Sequence, residues 1–546
     1  MDRHRPALTL IRRVSLGTAA VFFAVFFLWP ISTVIARGVF VDGALDLSPL
    51  TKLLSNSGLR RIILFTFLQA SVSTLGAVVL GIPGAYAFSR LAFRGRAAVL
   101  ALLTLPFVLP TVVVGSAFVA LLGENGPLGG LHLNGSLAAI VLAQICFNYA
   151  VVVRSVGSQW SHIDHSAAQA SRTLGAGPAR TWFRVTLPAI KPSIVSSALI
   201  VFLFCFTSFG LILILGGPRT STIETEIYRA TMQSLDLRTA AALSILQILV
   251  VGGVILGGMR AGRVDARSAR WRPSHSGLLK LNNERRLALT ANLCVVALLV
   301  GAPLGVLLVR SFTTSSGYGL NWYRSLGRLG STGLAETPLK ALSNSLTFAA
   351  VATFIAVPLG LIIALAVTVK SGRSRSARVM EGAVMLPLGV SAVTLGLGYL
   401  LTLDTPPLDL RTSWWLIPIA QAIVATPFVV RIAVPIIAST DQRLRDAAAL
   451  LGARPSRVWR SVDLPVIRSA IATGAGFAFA ISLGEFGATA FIVRPDTTTL
   501  PIAIYRLLGR PGEANFGAAM ASAVLLMGAT AAILLLLDRD SMGSRS

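Results

Sequence analysis

Twelve apolar stretches of the length needed to cross the hydrocarbon core, about twenty residues for roughly 30 Å, recur along this 546-residue chain. They lie near 14–36, 62–88, 97–123, 136–156, 192–216, 238–259, 287–309, 345–369, 379–402, 412–430, 469–493 and 515–537. Hydrocarbon offers no water to satisfy backbone N–H and C=O groups, so such stretches can only be helices. Composition agrees. Hydrophobic residues make up 54%, charged residues 13%, and the mean hydropathy is +0.74, whereas soluble chains carry about a quarter charged residues. Soluble, disordered and fibrous classes are excluded, leaving an all-α polytopic membrane protein.

The formal charge of +26 is mostly topological. With the N-terminus inside, the basic clusters fall on cytoplasmic segments: Arg12 and Arg13; Arg90, Arg94 and Arg96; Lys370, Arg373, Arg375 and Arg378; Arg443, Arg445, Arg454, Arg457 and Arg460. This positive-inside bias places both termini in the cytoplasm of a multi-pass plasma-membrane protein. No basic domain with interleaved aromatics lies outside the apolar stretches, so nucleic acid is not an expected partner. The first stretch is longer than a signal-peptide core and reads as a retained anchor. Cys146, Cys205 and Cys294 sit in apolar segments, too far apart for a motif.

The chain is also one unit written twice. An offset of 277 places Gln144 on Gln421, Arg154 on Arg431, Asp164 on Asp441 and Leu174-Gly175 on Leu451-Gly452. It continues through Pro178 on Pro455, Arg180 on Arg457, Trp182 on Trp459, Leu187-Pro188 on Leu464-Pro465, Phe209-Gly210 on Phe486-Gly487 and Ile227-Tyr228-Arg229 on Ile504-Tyr505-Arg506. Nearer each start the offset reads 281: Thr66-Phe67 on Thr347-Phe348, Leu105-Pro106 on Leu386-Pro387, Gly115 on Gly396. Six spans per copy is even, so the repeat is parallel, with about twelve helices in two six-helix halves. The halves are 1–260 and 287–546, joined by a basic cytoplasmic linker, 261–286.

Between spans four and five, and again between ten and eleven, lies a cytoplasmic loop with helical character. Asp164 and Asp441 suit helix N-caps, and Ser166 with Gln169 could instead form a capping box. Gly175 and Gly452 are placed to end the first helix, and Pro178 and Pro455 to open a second. Pro188 and Pro465 are expected to reset the chain before the next span. The arginines Arg172, Arg180, Arg184, Arg445, Arg457 and Arg460 read as positive-inside charge that could also pair with acidic groups on a partner.

These loops resemble the EAA loop of binding-protein-dependent ABC importer permeases: Glu-Ala-Ala, three residues, Gly, nine residues, Ile, one residue, Leu-Pro. The first copy has Gln169-Ala170-Ser171, Gly175, Val185 and Leu187-Pro188; the second has Asp446-Ala447-Ala448, Gly452, Val462 and Leu464-Pro465. Spacing agrees, while Gln169 and Asp446 replace the family's Glu. The resemblance implies the type I importer permease fold, with both loops seated as coupling helices in two copies of a cytoplasmic ABC ATPase. It also implies an extracytoplasmic substrate-binding protein or lipoprotein as partner. ATP and Mg would belong to the ATPases. This chain has no Gly-x-x-x-x-Gly-Lys-Ser/Thr run, its only lysines being Lys52, Lys191, Lys280, Lys340 and Lys370. No catalytic constellation, resident cofactor or metal site is expected, and His4, His132, His162, His165 and His275 show no ligand spacing.

Intramembrane polar groups mark pathway candidates. Glu485, in Ser482-Leu483-Gly484-Glu485-Phe486-Gly487, is the clearest; it either faces the pathway or bonds a neighbouring helix. Ser208 is its counterpart in the first half, and Asn148 is a lesser candidate that reads as an interhelical hydrogen bond. The outer segments Gly216–Leu237 and Arg494–Glu513 also repeat, and read as re-entrant or surface loops. Fused double permeases of this length resemble the thiamine and ferric-iron group, as do Cys205–Gly210, Leu215–Pro218 and Thr222-Ile223-Glu224, implying a small cationic cargo. Gly484–Thr489 also resembles oxyanion permeases for molybdate or sulfate. A rival reading is a twelve-helix ion-coupled secondary transporter, which would need paired intramembrane charges and no ATPase.

Overall fold

A computed structural model describes residues 16–41, 43–162, 166–265, 278–315, 317–328, 334–368, 382, 384–404, 408–439 and 442–543. Asp164, Asp441, Arg12, Arg13, the centre of the linker and the Lys370 to Arg378 cluster lie outside the described residues. Ten described helices are long and apolar enough to cross a membrane. In the first copy these are spans one, two, four, five and six: Leu16–Val39, Ser57–Arg90, Leu137–His162, Pro178–Phe206 and Leu237–Gly258. In the second copy they are spans seven, eight, ten, eleven and twelve: Asn283–Phe312, Pro338–Thr368, Leu416–Ala438, Trp459–Gly484 and Glu513–Ile533.

The third and ninth stretches are not continuous spans. The 97–123 stretch forms Arg96–Val108 and Thr111–Leu122, bent by 103°. Pro110 cannot donate to the ladder and drives Leu109 to φ −64°, ψ 142°, which ends the first helix. In the 379–402 stretch, the only described apolar helix of at least ten residues is Ala392–Thr402. Its N-cap is Ser391, whose Oγ accepts from the amides of Val393 and Thr394. Thr111 and Ala392 differ by the 281 of the repeat, so both copies begin this helix at the same place. Spans five and eleven also stop early, at Phe206 and Gly484, and short helices Gly210–Leu215 and Thr489–Ile492 follow.

Contacts group the chain into two compact units that cut across the sequence halves: 51–226 with 246–319, and 1–50 with 227–245 and 320–546. Within the first, spans two, four and five pack together. A Cβ on Gly81 would come within 2.6 Å of Val152 Cγ1, so only glycine lets these helices meet. Within the second unit, spans eight, ten and eleven pack alike, and a Cβ on Gly360 would meet Val429 Cγ1 at 2.6 Å. Small residues at such crossings substitute close backbone contact for the hydrophobic drive that lipid removes.

That pairing corrects one register. Val152 and Val429 keep the 277 offset, but Gly81 and Gly360 differ by 279, not the 281 read from Thr66-Phe67. A second contact agrees. The Ile223 amide donates to Thr66 Oγ1 (3.0 Å) and the Leu500 amide to Ser345 Oγ (2.8 Å), again 279 apart on the receiving helix. The outer segments read as loops in fact carry helices, Ile223–Met232 and Leu500–Leu508. Each has an N-terminal amide held by a hydroxyl of its copy's second span.

Spans one and seven each pack on the other copy's third-span region, Trp29–Val39 on Ala392–Thr402 and Ala302–Phe312 on Thr111–Leu122. Each ends in a short hairpin, Phe40–Val41 with Ala44–Leu45 and Thr313–Thr314 with Gly317–Tyr318. Both spans also contain a five-residue π turn, Ala24–Leu28 and Ala297–Gly301, just before Pro30 and Pro303. The same device, Trp182–Thr186 and Trp459–Asp463, precedes Pro188 and Pro465. Each turn closes with a bond from five residues back, such as Leu187 N–H to Trp182 C=O. The wider turn spares the proline ring the clash it would make with the carbonyl four residues earlier.

Candidate functional site

The two repeated loops are built alike from the backbone upward. Helix Ser166–Thr173 is followed by Gly175 at φ +82°, and helix Gln442–Leu450 by Gly452 at φ +78°. The Ala176 amide donates to the Ser171 carbonyl and the Gly175 amide to Arg172, each at 3.0 Å; Ala453 to Ala448 and Gly452 to Ala449 repeat both bonds at 3.0 Å. This is a Schellman cap in each copy, and its left-handed residue favours glycine.

Pro178–Thr181 and Pro455–Val458 then start the second helical segment with proline in the first turn. Here the expectation fails. Pro188 and Pro465 do not reset the chain: the short helix, the π turn and the fifth span run on as one helix, Pro178–Phe206. In the second copy the eleventh span likewise begins within the π turn at Trp459. The π turn admits the proline, so the loop's second arm is rigidly continuous with a span.

Gln169, Ala170, Asp446 and Ala447 are exposed on the first helices, and Arg180 and Arg457 on the second segments. Val185, Val462, Leu187 and Leu464 are half-buried, while Pro188 and Pro465 are exposed. The two copies brace their arms differently. Ser171 Oγ and Thr181 Oγ1 lie 2.9 Å apart in the first. In the second, Arg445 bonds Asp463, with Nη2 at 2.7 Å and Nε at 2.8 Å from the same oxygen.

Sequence reasoning missed the tips. Leu174 and Leu451, directly before the capping glycines, are each 87% exposed, and Leu450 is 88% exposed. A leucine in water on a fixed tip, repeated in register, marks a surface shaped for a partner. The available signal was a leucine ending an otherwise Ala- and Arg-rich helix in both copies.

The pathway candidates are placed by helix ends. Glu485 is buried just past Gly484, and its carboxylate accepts from the amides of Ala488 (2.7 Å) and Thr489 (3.0 Å) and from the Thr489 hydroxyl. It thus satisfies the orphan donors of the next helix rather than bonding a neighbouring one. Ser208, at the matching position, is half-buried. Asn148 is buried in span four; its Nδ2 donates to the Gln144 carbonyl (2.9 Å) and lies 3.5 Å from Cys205 Sγ. Gln69 and Gln144 both donate to the Cys205 carbonyl, at 3.0 and 3.4 Å, satisfying a carbonyl in the last turn of span five. Glu224, also missed, is buried and bonded by Gln247; its counterpart is Pro501, so this carboxylate belongs to one copy alone.

A duplicated helical unit with broken third and fifth spans and twin capped loops defines a membrane permease subunit. The chain belongs to the binding-protein-dependent transport system inner membrane component family, whose model matches residues 77–263 and 356–539. It is similar to the thiamine transport system permease protein ThiP of Brucella abortus, 27% identical over 511 residues, covering 88% of this chain and 87% of that protein. The Escherichia coli K12 protein of the same name is 27% identical over 474 residues, covering 83% and 84%. The molybdenum transport system permease protein ModB of Mycobacterium bovis is 34% identical over 206 residues, covering 36% of this chain and 76% of that protein. Among solved structures, a chain of a bacterial ABC transporter involved in alginate import matches at 20% identity over 47% of this chain and 95% of that one, with a TM-score of 0.40.

Proposed function

We propose that this chain forms the translocation pathway of an ATP-driven importer and is worked by two cytoplasmic ATPases through loops 164–188 and 441–465. The observation that carries the reading is the repeated tip: an exposed leucine beside a left-handed glycine, three residues before an arm that runs on into a membrane span. A push on such a tip crosses the capped turn to the second arm, which runs into span five or eleven without a break in the helix. ATP and Mg act in those partners, an extracytoplasmic binding protein delivers cargo, and both termini face the cytoplasm.

The cargo proposed is a small organic cation of the thiamine class. Relatives carrying that name match across both halves, whereas the molybdenum relative covers one half's length. Glu485, Ser208 and Asn148 are read as shaping the pathway wall at the breaks in spans five and eleven, Glu485 by holding the turn into Thr489–Ile492. The test is reconstitution with a candidate ATPase and binding protein, measuring ATP-dependent uptake of labelled thiamine. Uptake without an ATPase refutes the mechanism. ATP-dependent uptake of molybdate with no thiamine uptake refutes only the cargo.

A further inference from the structure

The unit 51–226 with 246–319 holds a half-open cavity of about 590 Å³ beneath the first repeated loop. Three guanidiniums line it from three separate segments: Arg90 at the end of span two, Arg172 on the loop helix and Arg285 at the start of span seven. Among the described residues that line it, none is a carboxylate. One wall is aromatic, with Tyr86 and Trp160 rings 5.5 Å apart and Trp160 and Trp182 5.4 Å apart. The segment before Arg285 is pinned in place. The Leu279 amide donates to the Arg90 carbonyl at 2.8 Å, the Ala92 amide donates back to Leu279 at 3.0 Å, and Arg285 Nη1 bonds the Lys280 carbonyl at 2.8 Å.

The second copy shows what is particular here. Its residues at the positions of Ala168 and Thr186 are Arg445 and Asp463, which form an ion pair. That copy closes the corresponding place with its own paired charges. The first copy has Ala168 and Thr186 on the cavity wall instead, with arginines from three segments beside them.

We propose that this cavity binds the phosphodiester headgroup of an anionic phospholipid. Guanidiniums match phosphate oxygens in a bidentate fork. Basic pockets between helices at the cytoplasmic membrane face select anionic headgroups, and Tyr and Trp favour the same interfacial depth. Ile82, Pro83 and Leu279 on the wall suit the glycerol and upper acyl carbons, which a free phosphate lacks. Because Arg172 rides on the loop helix while Arg90 and Arg285 belong to span ends, a bound headgroup ties that helix to the membrane segments.

The test uses the assembled importer in nanodiscs of phosphatidylcholine doped with phosphatidylglycerol, with retained lipid measured by native mass spectrometry after exchange into pure phosphatidylcholine. The wild type is expected to keep an anionic lipid, and Arg172→Gln/Arg285→Gln to keep about tenfold less or lower. Arg443→Gln/Arg457→Gln, which removes equal charge from the second copy, is expected to keep it; a monodisperse elution profile confirms folding of each variant. Equal retention by the wild type and the first double variant overturns the proposal, as does loss from the wild type itself. Displacement by millimolar inorganic phosphate while phosphatidylglycerol vesicles fail to compete reassigns the site to a free phosphate and overturns the lipid.

Discussion

The Tyr399 hydroxyl donates a hydrogen bond of 2.8 Å to the carbonyl of Phe26, a residue 373 positions earlier in the chain. Phe26 is four residues before Pro30, so its carbonyl is the one that proline's missing N–H leaves without the usual helical partner. A side chain from the second copy thus completes a span of the first. Gly398 makes the approach feasible, since a Cβ there would lie 2.9 Å from Pro30 Cβ and 3.0 Å from its backbone. The matching residue in the first copy is Phe118, which has no hydroxyl to offer.

Removing that hydroxyl with Tyr399→Phe should cost about 0.6–2 kcal/mol, the range for hydrogen bonds between membrane helices. Gly398→Val should cost more, because backbone rather than a flexible side chain must yield. Thermal unfolding in detergent reads both; a Gly398→Val protein that melts with the parent contradicts the packing described.

At the loop tips, Gly175→Val and Gly452→Val place a β-branched residue at positive φ, a penalty of about 1–2 kcal/mol. Asn tolerates that region, so Gly175→Asn should retain ATP-dependent uptake that Gly175→Val loses. Uptake indifferent to the choice of residue would mean the left-handed turn has no part in transport.

Leu174→Ser and Leu451→Ser leave the folded subunit untouched, since both side chains stand in water. If each leucine enters an ATPase groove, its loss forfeits about 1.5–3 kcal/mol of burial, or at least tenfold in affinity. Titrating the ATPase against each variant in nanodiscs measures this. Unchanged affinity in both removes the tips from the interface.

The two braces differ in chemistry, a hydroxyl pair in one copy and an ion pair in the other. Arg445 and Asp463 are each partly exposed, so solvent screens the pair and a double-mutant cycle should give about 0.2–1 kcal/mol. A coupling well above that range shows the pair to be shielded in the assembled importer.

Glu485→Gln keeps one acceptor oxygen, and Thr489→Val keeps the carboxylate but removes one of its donors. If Glu485 acts by holding the turn, both changes should lower uptake and melting temperature together, at about 1–3 kcal/mol each. A Thr489→Val protein with full uptake beside an inactive Glu485→Gln protein instead assigns the carboxylate a direct role with cargo.

The duplication, most of the spans and the loop caps were legible because each is local. Twenty apolar residues, a glycine after an Ala-rich helix and a proline opening the next are signals carried by neighbours in sequence. The register of span two was not, because Thr66-Phe67 matched Thr347-Phe348 by identity while Gly81 and Gly360 are aligned by what they touch. The breaks at Pro110 and after Phe206 were hidden inside stretches apolar enough to pass for continuous spans. Glu485 was found as a charge in an apolar run, but its two amide donors are set by the fold of the residues that follow it.

Sequence alone determined that this chain enters a bilayer as helices, is written twice, and ends its paired loops on glycine, since hydropathy, periodicity and backbone sterics act within a few residues of each other. Tertiary structure alone decided that first spans pack with the other copy, that Tyr399 serves the carbonyl Pro30 leaves open, and that arginines from three segments share one cavity. Those depend on which surfaces meet across hundreds of residues, and in lipid that choice rests on steric fit and stray hydrogen-bonding groups rather than on apolar pattern.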